Sequence, residues 1–198
     1  MNNKIKSVAV YCGHELGNNP AYARDARKVG ELLARNKITI VFGGGNVGLM
    51  GTVVDAALQN GGEVIGISTQ HVIARQEPVH KGANIKIVDG LSARKEEMFE
   101  LSDAFIMLPG GLGTLDELTD IMTKHQVGES CKPIIFINTA KYWEIFGKLI
   151  AYMDQEGFVE NMSDYNILIA NTPEELLSKL LYNDDLVMTC KPFGDNNH

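Results

Sequence analysis

Seven short apolar runs alternate with helical patterns along the whole chain, and this alternation constrains the fold more than any other feature. The runs are Ser7 to Tyr11, Thr39 to Phe42, Glu63 to Ile67, Ile85 to Val88, Ala104 to Leu108, Ile134 to Ile137 and Ile167 to Ile169. Strands that alternate with helices favour a parallel sheet covered by helices. The run from Ile134 to Ile137 has no polar residue, as expected for a strand buried on both faces. The sequence therefore predicts an α/β fold: a Rossmann-like, doubly wound parallel sheet with helices on both faces.

Two helices have explicit start signals. The pair Asn19-Pro20 predicts the start of a helix over Ala21 to Arg35, because Asn caps helices and Pro fits the first helical position. The pair Thr172-Pro173 predicts in the same way a helix that continues over Leu176 to Leu181.

The chain has 198 residues, of which 44% are hydrophobic and 22% are charged. This is enough for one globular domain with a buried core. No stretch rich in Pro or Ser suggests a linker. We therefore predict a single domain over residues 1–198, with a disordered tail at 192–198.

The formal net charge of -7 bears on the partners of the chain. It argues against a nucleic-acid groove or an anionic membrane surface, since both need clustered Lys and Arg. The apolar run from Val8 to Cys12 is too short for the core of a signal peptide, and no apolar stretch has membrane length. We expect a cytoplasmic protein with neither nucleic acid nor membrane as its partner.

The cysteines and histidines do not have the spacing of a metal site. Cys12, Cys131 and Cys190 are odd in number and widely separated, which predicts neither a disulfide framework nor a zinc site. The histidines are equally scattered. We expect no metal and no cofactor.

Two glycine-rich turns each follow an apolar run and open a helical pattern. The first runs from Gly43 to Gly48 and the second from Pro109 to Thr114. A glycine turn lets backbone N–H groups approach phosphate oxygens, and the helix N-terminus adds about half a positive charge. In an open parallel sheet, ligands bind outside the carboxyl ends of the strands. Both turns are therefore expected at one rim, where they bind a phosphorylated ligand.

The first turn also satisfies the pattern G-x-G-x-x-G of dinucleotide-binding folds. That fingerprint needs the first strand and an acidic residue at the end of the next strand, about 20 residues on. Glu63 has this spacing but opens its strand. A phosphate-binding turn is the favoured interpretation, and NAD binding and a purely structural turn are the alternatives.

Charged residues beside these turns are candidates for chemistry. Arg94 and Lys95 are expected just before a helix that runs through Met98 and Leu101, and the next strand leads into the second turn. They either reach the rim or form a solvated basic pair. Glu117 is expected in the first turn of the helix after Gly113. Beside a bound sugar phosphate, a carboxylate stabilises positive charge on the sugar ring or accepts a proton from water. Asp116, by contrast, is expected to interact with the helix dipole.

At these residues the chain resembles the LONELY GUY family of cytokinin riboside 5'-monophosphate phosphoribohydrolases, formerly called lysine decarboxylase-like. The upstream Arg-Lys pair of that family matches Arg94-Lys95, and its motif G-G-G-x-x-G-L-M-G matches Gly43 to Gly51. Its signature P-G-G-x-G-T-x-x-E is matched by Pro109, Gly110, Gly111, Gly113, Thr114 and Glu117. The similarity runs from about Val8 to Leu181.

The resemblance implies a Rossmann-like homodimer, or a larger assembly, that hydrolyses the N-glycosidic bond of an adenine-type nucleoside 5'-monophosphate. It implies that Arg94 and Glu117 are the catalytic pair and that the second glycine turn holds the phosphate. The residues expected to bind the substrate are Gly44, Gly45, Glu77, Lys95, Gly110, Gly111, Leu112, Gly113, Thr114, Asp116 and Thr123.

The chain departs from the family pattern where the base is expected. Many members have C-G-S-S after the first strand, where this chain has His14-Glu15 after Cys12-Gly13. Many have T-W-A-Q after the catalytic helix, where this chain has Lys124-His125 between Thr123 and Gln126. These changes are expected to affect base preference or the dimer contact, and plain AMP is as compatible with them as a cytokinin precursor.

Two other functions remain open at this stage. One is a non-catalytic nucleotide sensor or carrier, because fold and phosphate turns do not by themselves establish chemistry. The other is a decarboxylase that uses pyridoxal phosphate, which needs a Schiff-base lysine and an acidic partner for the pyridine nitrogen. Lys95 is the one candidate lysine, and nothing in the sequence marks the partner.

Overall fold

The computed structural model describes residues 5–75, 79–159 and 165–181. Glu77 and the tail at 192–198 lie outside these ranges. In the described part of the chain, seven strands form one parallel sheet in the order β4-β3-β2-β1-β5-β6-β7. The strands are β1 Ser7–Tyr11, β2 Thr39–Phe42, β3 Val64–Ser68, β4 Asn84–Ile87, β5 Ala104–Met107, β6 Ile134–Ile137 and β7 Ile167–Ala170. Each lies within one residue of a run predicted from the sequence, so the predicted parallel sheet is confirmed.

Seven α-helices connect or follow these strands in the same described ranges. They are α1 Pro20–Arg35, α2 Gly48–Gln59, α3 Gln70–Arg75, α4 Gly90–Glu100, α5 Leu112–Gln126, α6 Glu144–Gln155 and α7 Glu175–Leu181. The predicted cap of α1 is confirmed, since Asn19 Oδ1 accepts a hydrogen bond from Ala21 N at 3.0 Å. For α7 the predicted start was wrong. Residues 171–174 form a bend and a turn, so Pro173 precedes the helix instead of occupying its first position.

The helices cover both faces of the sheet, as predicted. One core cluster joins Val8 and Val10 of β1 to α1, α2 and α7. The other joins Ala9 and Tyr11 of the same strand to α4, α5 and α6. Successive strand residues face opposite sides, so both faces of β1 are buried.

The order of the strands reverses at β1, which lies between β2 and β5. The crevice at such a switch point, outside the carboxyl ends of the strands, is where open α/β sheets bind ligands. The loops after β1 and β5 meet there, because Gly13 N donates a hydrogen bond to the Pro109 carbonyl at 3.0 Å. Among the described residues, no helix is both long and apolar enough to cross a membrane.

Candidate active site

The second glycine turn opens α5 at the carboxyl end of β5. Gly111 is the N-cap, its backbone is extended, and no side chain caps the helix within the described chain. The first N–H groups of a helix have no partner inside it, and the helix dipole adds positive potential at the same place. An uncapped helix start of this kind binds anions such as phosphate.

The glycines of this turn serve different purposes. A Cβ on Gly110 would overlap the Thr114 side chain, so Gly110 is required by packing. Gly111 and Gly113 are not left-handed, and nothing lies within 4 Å of the position a Cβ would take on either of them. Neither the backbone nor the packing of the described chain therefore requires glycine at these two positions. Their effect is to leave open space at the start of α5, which is where a phosphate would approach.

The first glycine turn lies beside Arg94. A Cβ on Gly43 would collide with Nη2 of Arg94, so the missing side chain makes room for the guanidinium. Gly44 has a φ of +84°, which favours glycine, and a Cβ there would lie 3.0 Å from Cβ of Ser68. This turn therefore has a structural role in shaping the site, and substrate binding by Gly44 and Gly45 stays a prediction.

Arg94 is held in place on two sides. It lies inside α4 and not before it as expected, because the helix already starts at Gly90. Its Nε donates a hydrogen bond to the Ile67 carbonyl at 3.0 Å, and its Nη1 donates to Glu117 Oε1 at 3.1 Å. The Arg94 side chain is 12% exposed and that of Glu117 is 10% exposed. The alternative of a solvated basic pair is thus wrong for Arg94, because burial and two partners fix its guanidinium.

Glu117 lies in the second turn of α5, and not in the first as expected. The reason is that the helix starts at Leu112, inside the glycine motif. Burial raises the pKa of Glu117 from its ordinary 4.5 to about 7, and the attraction and hydrogen bond of Arg94 only partly oppose this. A carboxyl group with a pKa near neutrality is suited to accept a proton.

Lys95 is bound by two carboxylates of α5. Its Nζ lies 3.1 Å from Asp116 Oδ1 and 3.0 Å from Asp120 Oδ1. Burial alone would lower the pKa of Lys95, but the hydrogen bonds and charges of Asp120 and Asp116 outweigh it and raise the pKa. Asp116 therefore has a specific partner besides the helix dipole, and the Lys95 ammonium stays protonated beside the site.

The other predicted contacts lie at different distances from the turn. Thr114 is buried against Gly110, whereas Leu112 is 86% exposed at the first position of α5. Thr123 lies nine residues after Thr114, about 14 Å along the helix axis, and its hydroxyl donates to the Thr119 carbonyl at 2.8 Å. The structure thus brings Arg94, Glu117 and the second glycine turn together, but Thr123 lies apart from them.

Three contacts of the site were missed by sequence reasoning. The Ile67 carbonyl accepts a hydrogen bond from Arg94, and the Tyr142 hydroxyl donates a hydrogen bond to the Gly110 carbonyl. Tyr11 is buried close enough to Glu117 for the Glu117 charge to affect the Tyr11 phenol. Burial, followed by that charge, raises the pKa of Tyr11. Two of these contacts use backbone carbonyls, for which the residue types give no signal.

The residues that depart from the family pattern have local partners. His14 and Glu15 are exposed and lie 4.0 Å apart. Lys124 pairs with Glu96 at 2.9 Å, and His125 is buried, with Nδ1 donating to the Tyr165 carbonyl at 2.8 Å. Effects of these residues on the base or on a dimer stay predictions.

A cavity of about 490 Å³ lies between α1 and the loops after β6 and β7, away from Arg94 and Glu117. Its charged lining is largely paired within the chain, for example Arg24 with the buried Asp25 at 3.0 Å. A smaller cavity of about 200 Å³ adjoins Gly110 and Gly111. In the described ranges, no group of three or more His, Cys, Asp or Glu residues has the arrangement of a metal site.

Comparison with known proteins finds one matching family profile and relatives over most of the chain. The sequence profile of a family described as "Possible lysine decarboxylase" matches residues 50–180. The chain is 35% identical over 176 residues to a Rhodococcoides fascians protein named cytokinin riboside 5'-monophosphate phosphoribohydrolase, which covers 88% of this chain and 89% of the relative. It is 36% identical over 180 residues to the Arabidopsis thaliana protein of that name, LOG1, with 89% and 83% covered.

A solved structure has the same fold. It is that of the molybdenum cofactor binding protein of Rippkaea orientalis, with a TM-score of 0.61 and 26% identity. The match covers 87% of this chain and 91% of the other.

Proposed function

The chain belongs to the LONELY GUY, or "Possible lysine decarboxylase", family, and from this membership we propose that it is a nucleoside 5'-monophosphate phosphoribohydrolase. Its substrates are adenine-type nucleotides, either a cytokinin riboside 5'-monophosphate or AMP. The products are the free base and ribose 5-phosphate.

The observation that carries this proposal is the buried pair of Arg94 and Glu117 beside the uncapped start of α5. The phosphate binds the N–H groups at Gly111 to Thr114, where the glycines leave open space. Glu117 lies on the same helix, about one and a half turns further on, so a ribose attached to that phosphate reaches its carboxylate.

The reaction breaks the bond between C1' of the ribose and the base nitrogen. Its transition state resembles an oxocarbenium ion, so a carboxylate attracts the sugar more strongly there than in the ground state. A water oxygen bonds to C1' as the bond to the base nitrogen breaks, and one proton of that water passes to Glu117. The departing base takes up a proton from solvent, and Glu117 then releases its proton to solvent. With a pKa of about 7, Glu117 accepts the proton readily near neutral pH.

Arg94 orients the carboxylate and balances its charge. Because Nε is bound to Ile67 and Nη2 fills the space over Gly43, Nη1 is directed at Glu117 from a fixed position. Fixed donors of this kind lower the barrier because they need little reorganisation during the reaction.

Assembly, partners and cofactor follow from the surface, the net charge and Lys95. Apolar residues Ile145, Leu149 and Tyr152 form an exposed stripe on α6, which supports a homodimer or larger assembly. The net charge of -7 supports a function without nucleic acid. The raised pKa of Lys95 argues against pyridoxal phosphate, because a Schiff-base lysine needs a lowered pKa. We propose a cytoplasmic location and no cofactor.

The test is to incubate the protein with AMP, other nucleoside monophosphates and isopentenyladenosine monophosphate, and to separate base from ribose 5-phosphate by chromatography. Wild-type protein is expected to release base. Glu117→Gln and Arg94→Ala are expected to abolish turnover and to remain folded by circular dichroism. Full activity in either variant would remove that residue from the mechanism.

A nucleotide carrier without catalysis is the second candidate. The likeness to a molybdenum cofactor binding protein supports it, since that protein has the same fold over most of its length. The same experiment separates the two candidates: a carrier binds nucleotide, for example in a calorimetric titration, and releases no base.

A further inference from the structure

We propose that Tyr142 is a positioning residue that holds the phosphate-binding turn in its working orientation. Its hydroxyl donates a hydrogen bond to the Gly110 carbonyl, at the middle of the second glycine turn. The proposal rests on the function proposed above, in that it concerns how the same turn binds phosphate.

The orientation of the peptide group between Gly110 and Gly111 decides whether the Gly111 N–H faces the phosphate. A trans peptide holds its C=O and N–H on opposite sides of the chain. A Gly110 carbonyl that faces Tyr142 therefore directs the Gly111 N–H to the other side, where the open space beside Gly111 admits a phosphate. If this peptide rotated by half a turn, the carbonyl oxygen would point at the anion and repel it.

The backbone angles on either side of this peptide are less restricted than in other residues, because both flanking residues are glycine and have no Cβ. The segments on either side are fixed. Before it, Gly13 N donates to the Pro109 carbonyl at 3.0 Å, and after it, Leu115 N donates to the Gly111 carbonyl at 3.0 Å. The Gly110 carbonyl is the group that these contacts leave free, and Tyr142 binds it.

The Tyr142 ring is itself held by aromatic neighbours. Its centroid lies 5.7 Å from that of Tyr22 and 5.2 Å from that of Trp143, both in edge-to-face geometry. Trp143 is anchored to β5, since its Nε1 donates to the Met107 carbonyl at 3.2 Å. The ring therefore keeps its position when the hydroxyl alone is removed.

The backbone before Tyr142 is strained. Ala140 and Lys141 have φ values of 50° and 62°, in the left-handed region that disfavours residues with side chains. Strain of this kind persists where other contacts require the conformation, and it is concentrated at functional sites. Here the two residues turn the chain so that Tyr142 reaches Gly110.

The test compares Tyr142→Phe with Tyr22→Phe. The first removes the hydroxyl that binds Gly110 and keeps the ring. The second removes the hydroxyl of a tyrosine that lines the same 200 Å³ cavity and contacts the Tyr142 ring. Dissociation constants are measured by calorimetry for ribose 5-phosphate, which contains the phosphate, and for adenine, which does not.

We expect Tyr142→Phe to weaken ribose 5-phosphate binding about five- to tenfold, the usual effect of one hydrogen bond, with adenine binding unchanged. Tyr22→Phe is expected to change both constants less than twofold. In steady-state hydrolysis of AMP, Tyr142→Phe raises KM by a similar factor and changes kcat little.

Unchanged ribose 5-phosphate binding in Tyr142→Phe would overturn the proposal. An equal loss for ribose 5-phosphate and adenine would also overturn it, because general damage does not depend on phosphate. If the wild-type protein binds neither ribose 5-phosphate nor AMP, the turn is not a phosphate site and the proposal fails. If it binds ribose 5-phosphate but releases no base from nucleotides, the hydrolase function fails and the role of Tyr142 is still decided by the binding data.

Discussion

Replacing Glu117 by Gln should change how the stability of the protein depends on pH. Burial raises the pKa of Glu117 from 4.5 to about 7. Between these values the folded protein keeps a proton that the unfolded chain has lost, so unfolding releases a proton and stability falls as pH rises. At about 1.4 kcal/mol per pKa unit, the complete loss is about 3 kcal/mol. Gln stays neutral throughout, so the variant does not have this loss.

Most of this effect falls in an accessible range of pH. We expect the unfolding free energy of Glu117→Gln, relative to the wild type, to rise by about 2 kcal/mol between pH 5.5 and pH 8. Urea denaturation at the two pH values measures both proteins, and other titrating groups cancel in the difference. The attraction of Arg94 for the ionised carboxylate needs no separate correction, because it is already included in the pKa of about 7.

The exposed Glu100 at the end of α4 provides a matched control, and Glu100→Gln should differ from the wild type by the same amount at both pH values. A constant difference between Glu117→Gln and the wild type would show that Glu117 is not destabilised by burial. If the unfolding free energy of the wild type instead rose relative to that of the variant towards pH 8, Arg94 would stabilise the carboxylate by more than burial costs. The pKa of Glu117 would then be lowered and not raised.

Three further predictions concern activity. Gly113→Ala should raise the unfolding free energy by about 0.5 to 1 kcal/mol, because the backbone at this position is compatible with Ala. It should also raise KM for AMP about tenfold, because the added methyl group contacts the phosphate. A thermal melt checks the first effect and steady-state kinetics check the second. Gly43→Ala should displace the Arg94 guanidinium and lower kcat about a hundredfold without unfolding the protein, and a kcat within threefold of the wild type would contradict this. For the wild type, kcat/KM should rise with pH and reach half its plateau near pH 7, as Glu117 of the free protein ionises, and a flat profile from pH 6 to 8 would exclude it as the base.

The sheet could be predicted from the sequence because its strands are locally encoded. Each strand is a run of apolar residues between helical patterns, and β6, from Ile134 to Ile137, is buried on both faces as its lack of alternation indicated. The start of α7 was less predictable. A turn before Glu175 satisfies the backbone without placing Pro173 in the helix, and the residue types fit either arrangement.

The candidate site was only partly predictable. From the residues alone, Arg94 was equally consistent with a solvated surface, and the resemblance to a family decided in favour of the site. Its burial depends on Gly43, in the turn after β2, and on the Ile67 carbonyl of β3, and both contact Arg94 only in the folded chain. Every residue has a backbone carbonyl, so the sequence does not indicate which one binds a side chain. The catalytic and binding roles of these residues stay predictions.

The uncapped start of α5 has a consequence for turnover. In the proposed reaction the phosphate is chemically unchanged when the base departs, so the turn would bind substrate, transition state and ribose 5-phosphate with similar strength. Such uniform binding lowers KM without accelerating the chemical step, and it also retains the product. In the proposed hydrolase, a helix start that binds the nucleotide phosphate would therefore improve capture of dilute substrate and slow the departure of ribose 5-phosphate by the same interaction.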